Sequence, residues 1–372
     1  MLVNSLTSSS VKTARQATTA AALAQARDAL IGYAITYGDT HSNQVHGYFP
    51  CPDISGGNPE GSAELSCGSQ DVNMTGRLPW ATLDLSTLRD GNGECLWYAV
   101  SGTYKNNPKT GLMNWDTNGQ LQAFSSAGTL LTPPDNQVVA VIFAPGAPLS
   151  GQDRSGTSAP ICGGNYTATN YLDNDTVHSI NNADIATGKF IQPHEHRDVN
   201  GNIILTVNDQ MIFITKQDIW NAIKKRNDFR TFVGSLLSTA TTCSSPPVAV
   251  NFTSTPPTET SGVAVGSLKI GRVPKACLPS PSDNWQDNLL YAKCTTGNCI
   301  NGTSCKGVVI FSGERNTLQS RITNTDKNTW SNYLEDTPFA NLTAFTTGGT
   351  SFSGASSYSA ASPSTDVFAC IP

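Results

Sequence analysis

Short polar segments of the sequence carry the residue types that bind metal ions. His194-Glu195-His196 places two imidazoles two residues apart, so a β-strand here would direct both to the same side. Asp90-Gly91-Asn92-Gly93-Glu94 and Asp173-Asn174-Asp175 concentrate the oxygen donors that calcium prefers, but neither completes a twelve-residue calcium loop. Because turn formation accounts for both loops and no third ligand accompanies the histidines, we expect neither a metal nor a cofactor. The weak candidates, with calcium as the ion that the loops would favour, are His194, His196, Asp90, Asn92, Glu94, Asp173 and Asp175.

The sequence lacks the motifs of common enzyme classes. No serine lies in the G-x-S-x-G frame of a nucleophile elbow, and Gly188-Lys189 lacks the preceding glycine-rich loop of a phosphate-binding motif. We therefore expect no catalytic residues and no enzymatic activity. A platform that stacks on sugars is one use for the tryptophans, although most tryptophans in proteins are core residues. They are Trp80, Trp97, Trp115, Trp220, Trp285 and Trp330.

Ten cysteines in 372 residues indicate disulfide bonds and hence an oxidising compartment. Four lie in the first half and six in the second, and Cys294-x4-Cys299-x5-Cys305 does not match a zinc ribbon. We expect bridges within each half. Cys51–Cys67 is the preferred first pair because it closes a Gly/Pro-rich loop with little apolar content, and Cys95–Cys162 then follows by elimination. The disulfide candidates are Cys51, Cys67, Cys95, Cys162, Cys243, Cys277, Cys294, Cys299, Cys305 and Cys370.

The charge distribution excludes a nucleic-acid partner. The chain has 23 Lys and Arg against 28 Asp and Glu, a formal net charge of −5, whereas nucleic-acid binding needs clustered cations. The visible cluster, Lys224-Lys225-Arg226, is expected to be a solvated helix face.

Two helices and several buried strands predict an α+β fold. Strong helix formers predict one helix over residues 8–37, and a second is predicted over 217–239 after a capping box of Thr215 and Asp218. Apolar runs at 138–144, 211–214 and 308–311 predict strands buried on both faces, which helices must cover. The Ser/Pro-rich segments 244–247 and 254–258 predict a linker or surface loop. The apolar face of the first helix is traced by Val11, Ala14, Ala22, Ala26, Ala29, Leu30 and Tyr33.

The two halves of the chain carry similar segments in the same order, which predicts an internal duplication into two helix-plus-sheet lobes. The matched pairs are 76–79 with 271–274, 96–99 with 289–292, 138–144 with 308–311, 152–154 with 319–321, 170–173 with 332–335, and 209–213 with 366–368.

The segment 24–34, Ala-Gln-Ala-Arg-Asp-Ala-Leu-Ile-Gly-Tyr-Ala, resembles the later half of the long first helix of type IV pilin-like and pseudopilin-like proteins. In one branch that helix is followed by elements similar to Pro50-Cys51-Pro52-Asp53, Gly76-Arg77-Leu78-Pro79-Trp80 and Leu96-Trp97-Tyr98-Ala99-Val100. The resemblance covers most of residues 11–226 and reaches the second lobe only through the duplication. It implies a long N-terminal helix packed on an antiparallel sheet. The expected domains are a truncated stalk helix over 1–37, a first head lobe over 38–216, and a second lobe over 217–372 containing helix 217–239 and a β-rich region.

The resemblance also implies a function. We expect a minor pilin or tip pseudopilin, a structural and interaction subunit of a type IV pilus or type II secretion-like filament. Such a protein is exported and processed by a prepilin peptidase. An apolar segment upstream of Met1 would anchor it in the inner membrane before it joins a periplasmic or extracellular filament. Its partners would be other pilin or pseudopilin subunits, bound through the N-terminal helix, and its large head favours the filament tip. The alternative is a secreted carbohydrate-binding or adhesive β-rich protein.

Overall fold

The structure, a computed structural model, describes residues 2–55, 59–242, 248–251, 258–261, 263–265, 268–293, 298–347 and 351–371. The chain divides into two compact units. The first comprises Met1–Thr40, His46–Thr110 and Asn118–Ile219, and the second comprises His41–Val45, Gly111–Thr117 and Trp220–Pro372. The first unit therefore includes the N-terminal helix, which the sequence analysis treated as a separate stalk. The second unit includes two short segments that precede residue 217.

The described helices and strands follow in chain order. The first unit contains α1 (Leu2–Thr40), β1 (Met74–Arg77), β2 (Trp97–Val100), β3 (Gln122–Phe124), β4 (Val138–Ala144), β5 (Asn174–Asp175), β6 (Ile180–Asn181), β7 (Lys189–Ile191), β8 (His194–Arg197), β9 (Ile203–Val207) and β10 (Gln210–Thr215). The division between the units falls within α2 (Lys216–Lys224). The second unit continues with α3 (Asn227–Thr241), β11 (Val248–Asn251), β12 (Thr258–Ser261), β13 (Val263–Val265), β14 (Leu268–Arg272), β15 (Leu289–Lys293), β16 (Asn298–Ile300), β17 (Thr303–Ser304), β18 (Gly307–Phe311), α4 (Asn324–Lys327), α5 (Asn341–Thr347) and β19 (Val367–Ile371).

The first unit is built on an antiparallel sheet in the order β1-β2-β4-β10, with α1 packed on β4 and β10. Its register places Gly76 opposite Tyr98 and Tyr98 opposite Ile142. All of β4 is buried, as the continuous apolar run predicts for a strand covered on both faces. Phe143 of β4 packs in an apolar cluster with residues from other parts of this unit, including Tyr171 and Phe190.

The second unit contains β14, β15, β18 and β19 as antiparallel neighbours in that order, in a sheet that continues through β11 and β12. Here α3 packs on β18 and β19, and the register places Gly271 opposite Tyr291 and Tyr291 opposite Val309. Trp115, from the segment Gly111–Thr117, has its ring centroid 4.9 Å from that of Trp285 in the same unit. The observed class is thus a mixture of helices and antiparallel sheets, as predicted.

The predicted single helix over 217–239 is wrong, because two helices occupy this region. Chain direction changes at Lys225 and Arg226, where Arg226 has the extended backbone angles φ −63° and ψ 139°. Arg226 binds Asp228 in the first turn of α3 at 2.7 Å, a position at which a carboxylate also stabilises a helix N-terminus. The predicted capping box is confirmed, since the amides of Thr215 and Asp218 each donate to the other residue's side-chain oxygen.

The predicted solvated face at Lys224-Lys225-Arg226 is also corrected for one residue. Lys224 is buried and donates to the Glu314 carboxylate within the second unit. Lys225 is exposed and Arg226 is half-buried. The cluster is therefore partly a structural ion pair.

Disulfide bonds join Cys51 to Cys67, Cys95 to Cys162, and Cys305 to Cys370. The first two are the predicted pairs, and each described bridge stays within one unit. Cys277 and Cys299 are also disulfide-bonded. Cys243, Cys294 and the Ser/Pro-rich segments 244–247 and 254–257 lie outside the described residues.

The disulfides indicate an extracellular or periplasmic protein, since such bonds persist in oxidising compartments. Among the described residues, no helix combines the length and the apolar character needed to cross a bilayer.

Candidate functional site

The N-terminal helix α1 has two parts that differ in exposure. From Thr19 to Tyr37 one face is buried, with Ala26, Leu30 and Ala34 fully inaccessible. Every residue from Ser9 to Thr18 is exposed. The apolar face predicted from sequence is therefore right from residue 22 onward. It is wrong at Val11 and Ala14, because the buried face of this helix begins only at Thr19.

Two contacts fix α1 to the rest of the first unit. Arg27 forms an ion pair with Asp218 at 3.2 Å. The amide of Gly91 donates to Thr19 Oγ1 at 2.9 Å, and a Cβ at Gly91 would lie only 2.2 Å from the carbonyl oxygen of Arg15. The loop around Gly91 thus needs glycine to approach the helix backbone so closely.

The contacts of Asp90 and Glu94 show how this loop is shaped. Asp90 accepts hydrogen bonds from the amides of Asn92 and Glu94 through Oδ1 and from the amide of Gly146 through Oδ2. Glu94 forms an ion pair with Arg154 at 3.2 Å. The carboxylate oxygens therefore shape a turn that seats α1, as the turn interpretation predicts.

Asp173 and Asp175 face different environments, so they do not form one calcium loop. Asp173 accepts hydrogen bonds from the amides of Asn208 and Asp209, while Asp209 accepts one from the amide of Asp173 at 2.6 Å. Burial raises the pKa of Asp173, and it raises the pKa of Asp209 still further with the help of the adjacent Asp173 carboxylate. Burial next to a second carboxylate therefore favours the protonated form of Asp209.

Asp175 lies instead in a cluster with three of the chain's five histidines, His178, His194 and His196. Asp175 Oδ2 is 2.5 Å from His178 Nδ1 and 3.1 Å from His194 Nε2, and Oδ1 is 3.4 Å from His196 Nε2. The Nε2 atoms of His194 and His196 are 3.0 Å apart. One potential donor atom from each residue lies within 4.8 Å of all the others.

Local structure explains how these four side chains meet. His194 and His196 alternate with Glu195 and Arg197 along β8, and the latter two form their own ion pair at 2.7 Å. Asp175 ends β5 and His178 lies in the turn that leads to β6. Burial alone would raise the pKa of Asp175, but hydrogen bonds from the His178 side chain and from the amides of His178 and Val177 hold it below its usual range.

His178 is the member that the sequence analysis missed. Its signal is the spacing Asp175-x-x-His178, since a turn can place the side chains of these two residues next to each other. That spacing is not specific without knowledge that β8 lies nearby. Gly128 contributes as well, because a Cβ there would lie 2.4 Å from Cδ2 of His178.

The tryptophans do not form an exposed platform in the described part of the chain. Trp97, Trp115, Trp220 and Trp285 are buried, and the other two are half-buried. Trp97 packs beside Tyr171, while Trp115 and Trp285 belong to the aromatic core of the second unit. The core interpretation therefore accounts for most of them.

No protein-family model matches the chain, and neither a curated protein nor a solved structure matches it significantly.

Proposed function

We propose that this protein is a non-catalytic structural subunit of an extracytoplasmic filament of the type IV pilus or type II secretion class, such as a minor pilin or tip pseudopilin. The observation that carries the proposal is the division of α1. The second part of α1 packs on the sheet of the first unit, whereas ten consecutive residues from Ser9 to Thr18 are exposed. Pilin-like subunits use the first helix in these two ways.

The exposed part of α1 offers a suitable surface for neighbouring helices. Val11 is 52% exposed, and Ala14 and Ala17 are exposed with it. Small and apolar side chains allow helices to approach closely. Val11 and Lys12 also border a groove of about 700 Å³ whose other wall includes Ala144 and Ala147. The occupant that we assign to this surface is the helix of another pilin-like subunit.

We further propose that the second unit arose by duplication of the first. The support is the matching strand order, the matching registers at Gly76 and Gly271, and the packing of a helix on the last two strands of each sheet. A head of two lobes is larger than the head of a subunit with one lobe. A tip position accommodates the extra volume, because a tip subunit has no neighbour above it.

Site-specific photo-crosslinking in the native host tests the filament assignment. A photoreactive residue at Gln16, which is exposed on α1, is expected to yield adducts with pilin-like subunits in sheared filaments. A matched probe at Leu318, which is 93% exposed in the second unit, should yield few. Absence of filament adducts from position 16 would refute the proposal.

Immunogold labelling separates membership of the filament from position within it. An antibody against the second unit is expected to label one end of native filaments. Gold along the whole length would reject the tip position while leaving the filament assignment intact. Labelling of the cell surface without filaments would favour a secreted adhesive protein instead.

A further inference from the structure

We propose that Asp175, His178, His194 and His196 form a binding site for one zinc ion that ties the β5–β6 and β8–β9 segments together. Three imidazole nitrogens and one carboxylate oxygen are a donor set that zinc uses. The site does not depend on the filament assignment, since none of its four residues lies on α1.

Several donor atoms of the cluster lie near the spacing of a tetrahedral site, and all four lie within 4.8 Å of one another. With zinc–nitrogen distances of about 2.0–2.1 Å, neighbouring donors of a tetrahedron lie about 3.3 Å apart. His194 Nε2 is 3.1 Å from Asp175 Oδ2, and His196 Nε2 is 3.0 Å from His194 Nε2 and 3.4 Å from the other carboxylate oxygen, Asp175 Oδ1. His178 Nδ1 is somewhat closer to Asp175, at 2.5 Å. Only a small outward shift of the donors would therefore admit an ion.

The second nitrogen of His194 supplies an independent indication. Its Nδ1 lies 2.7 Å from the backbone carbonyl oxygen of Gln192, so Nδ1–H donates there. This hydrogen bond leaves the lone pair on Nε2, the atom that faces His196 and Asp175. Such an outer hydrogen bond is the usual way in which a ligating histidine is oriented. Asp175 is likewise held in place, by the amides of Val177 and His178.

The ligand chemistry favours zinc over other common ions. Calcium takes six to eight oxygen ligands, whereas this cluster offers mainly nitrogen. Copper(II) accepts imidazole but prefers a tetragonal arrangement, and four donors from the protein around one point suit a closed tetrahedral site. A closed site is structural, because no position is left for a substrate.

The burial of the four side chains permits both binding and entry of an ion. The Asp175 side chain is inaccessible and that of His194 is 8% exposed, whereas His178 and His196 are 24% and 21% exposed. An ion can therefore enter from the side of His178 and His196. Once bound, it would connect the turn after β5 to β8, which belong to separate two-stranded sheets.

Calorimetric titration of zinc chloride into the metal-free full-length chain tests the proposal. We expect one equivalent of zinc, and an affinity at least about tenfold weaker in His178→Ala and His196→Ala, because even outer-shell partners contribute 10- to 100-fold. Cobalt(II) substitution should give the intense visible absorption of a four-coordinate ion. Calcium chloride should not compete.

Two replacements serve as matched controls. Glu195→Gln changes the residue between the two β8 ligands, and His41→Gln removes a histidine outside the cluster, so both should retain zinc binding. Circular dichroism of each metal-free variant establishes that it is folded, and His178→Gln or His196→Gln replaces the corresponding alanine variant if that one is not. Absence of zinc binding, binding that persists in the histidine variants, or equal competition by calcium would overturn the assignment.

Discussion

In both units a buried tyrosine lies beneath the guanidinium of an arginine from a loop. Arg154 lies 4.9 Å from the ring centroid of Tyr171, and Arg321 lies 4.4 Å from that of Tyr333. Each arginine also donates through Nε to a backbone carbonyl one residue before its tyrosine. A glutamine two residues before the arginine, Gln152 or Gln319, donates in turn to a carboxylate two residues after the tyrosine.

The two units differ in how they neutralise this arginine. Arg154 pairs with Glu94, whose side chain is 24% exposed, at 3.2 Å. Arg321 pairs with Asp116, and these two side chains are only 1% and 3% exposed, at 3.3 Å. Asp116 comes from the segment Gly111–Thr117, which precedes most of the second unit by about a hundred residues. The same local motif is thus completed by a nearby carboxylate in one unit and by a distant one in the other.

This difference shows where charge burial affects stability. A pair that water reaches contributes little, whereas separating a buried pair leaves a charge without compensation. We therefore expect the two units to respond alike to changes in covalent links and differently to changes at the arginine.

The largest effect is expected from the long disulfides, which should affect the units equally. Cys95–Cys162 spans 67 residues and Cys305–Cys370 spans 65. Because each bridge lowers the conformational entropy of the unfolded chain, each should stabilise the folded protein by about 4 kcal/mol. Replacing both cysteines of either bridge by serine should reduce the free energy of unfolding by that amount, measured by hydrogen exchange at amides of β4 and β18. A loss confined to one double variant would show that the two units do not depend equally on their long disulfides.

Replacement of the arginines should then distinguish the units. Arg321→Met should lower the free energy of unfolding by at least about 3 kcal/mol, because the buried Asp116 carboxylate loses this cation. Arg154→Met should cost about 1–2 kcal/mol, since Glu94 retains contact with water. Urea unfolding of each variant gives the two values.

The double variant Arg321→Met/Asp116→Asn is the control for that difference. It should recover part of the loss, because it removes the uncompensated charge together with its partner. Equal costs for the two single arginine variants would show that carboxylate burial does not decide the difference between the units.

The buried carboxyl pairs should make both units less stable as the pH rises. Burial raises the pKa of Asp209 and of Asp366, with Asp173 and Glu335 as their nearby carboxylates. Above about pH 4 the unfolded state has lost these protons while the folded state still holds them. The free energy of unfolding therefore falls as the pH rises from the unfolded pKa toward the folded pKa, by at most about 1.4 kcal/mol per pH unit for each group.

Asn substitutions test this pH dependence in each unit. Asp209→Asn and Asp366→Asn should each flatten the decline of the unfolding free energy as the pH rises above about 4, relative to the unaltered chain. Thermal unfolding across this pH range provides the measurement. An unchanged slope in one variant would confine the pH-dependent carboxyl to the other unit.

The smallest effect concerns two capping boxes. Thr215 with Asp218 begins α2, and Thr323 with Asp326 begins α4, each with the aspartate amide donating to the threonine hydroxyl. Thr215→Ala and Thr323→Ala should each lower the free energy of unfolding by about 1 kcal/mol, whereas Thr→Ser at either position should lower it less. Thermal unfolding is again the measurement, and a Ser variant as unstable as the Ala variant would exclude the hydroxyl as the cause.

Much of the fold could be predicted because it depends on local patterns. The continuous apolar run at 138–144 specified β4, and the helix formers before Gly38 specified α1. The Cys51–Cys67 pair followed from a short loop with little apolar content. The break in the second helix at Lys225–Arg226 was missed, because an ion pair between Arg226 and Asp228 carries no periodic signal.

Local sequence patterns specified the strands at 138–144, 211–214 and 308–311, the α1 helix, the Thr215–Asp218 cap, and the alternation that would put His194 and His196 on one side of a strand, since each depends on neighbours within a few residues. Long-range packing, in contrast, brings Asp175 and His178 to those histidines, places the Asp90 turn against α1, and puts Asp116 beside Arg321. These contacts join residues 16 to 205 positions apart for which the intervening chain imposes no spacing. Their partners are set by how strands pair and which side chains burial brings together, and a charge buried in this way must find its counterpart wherever the fold places one.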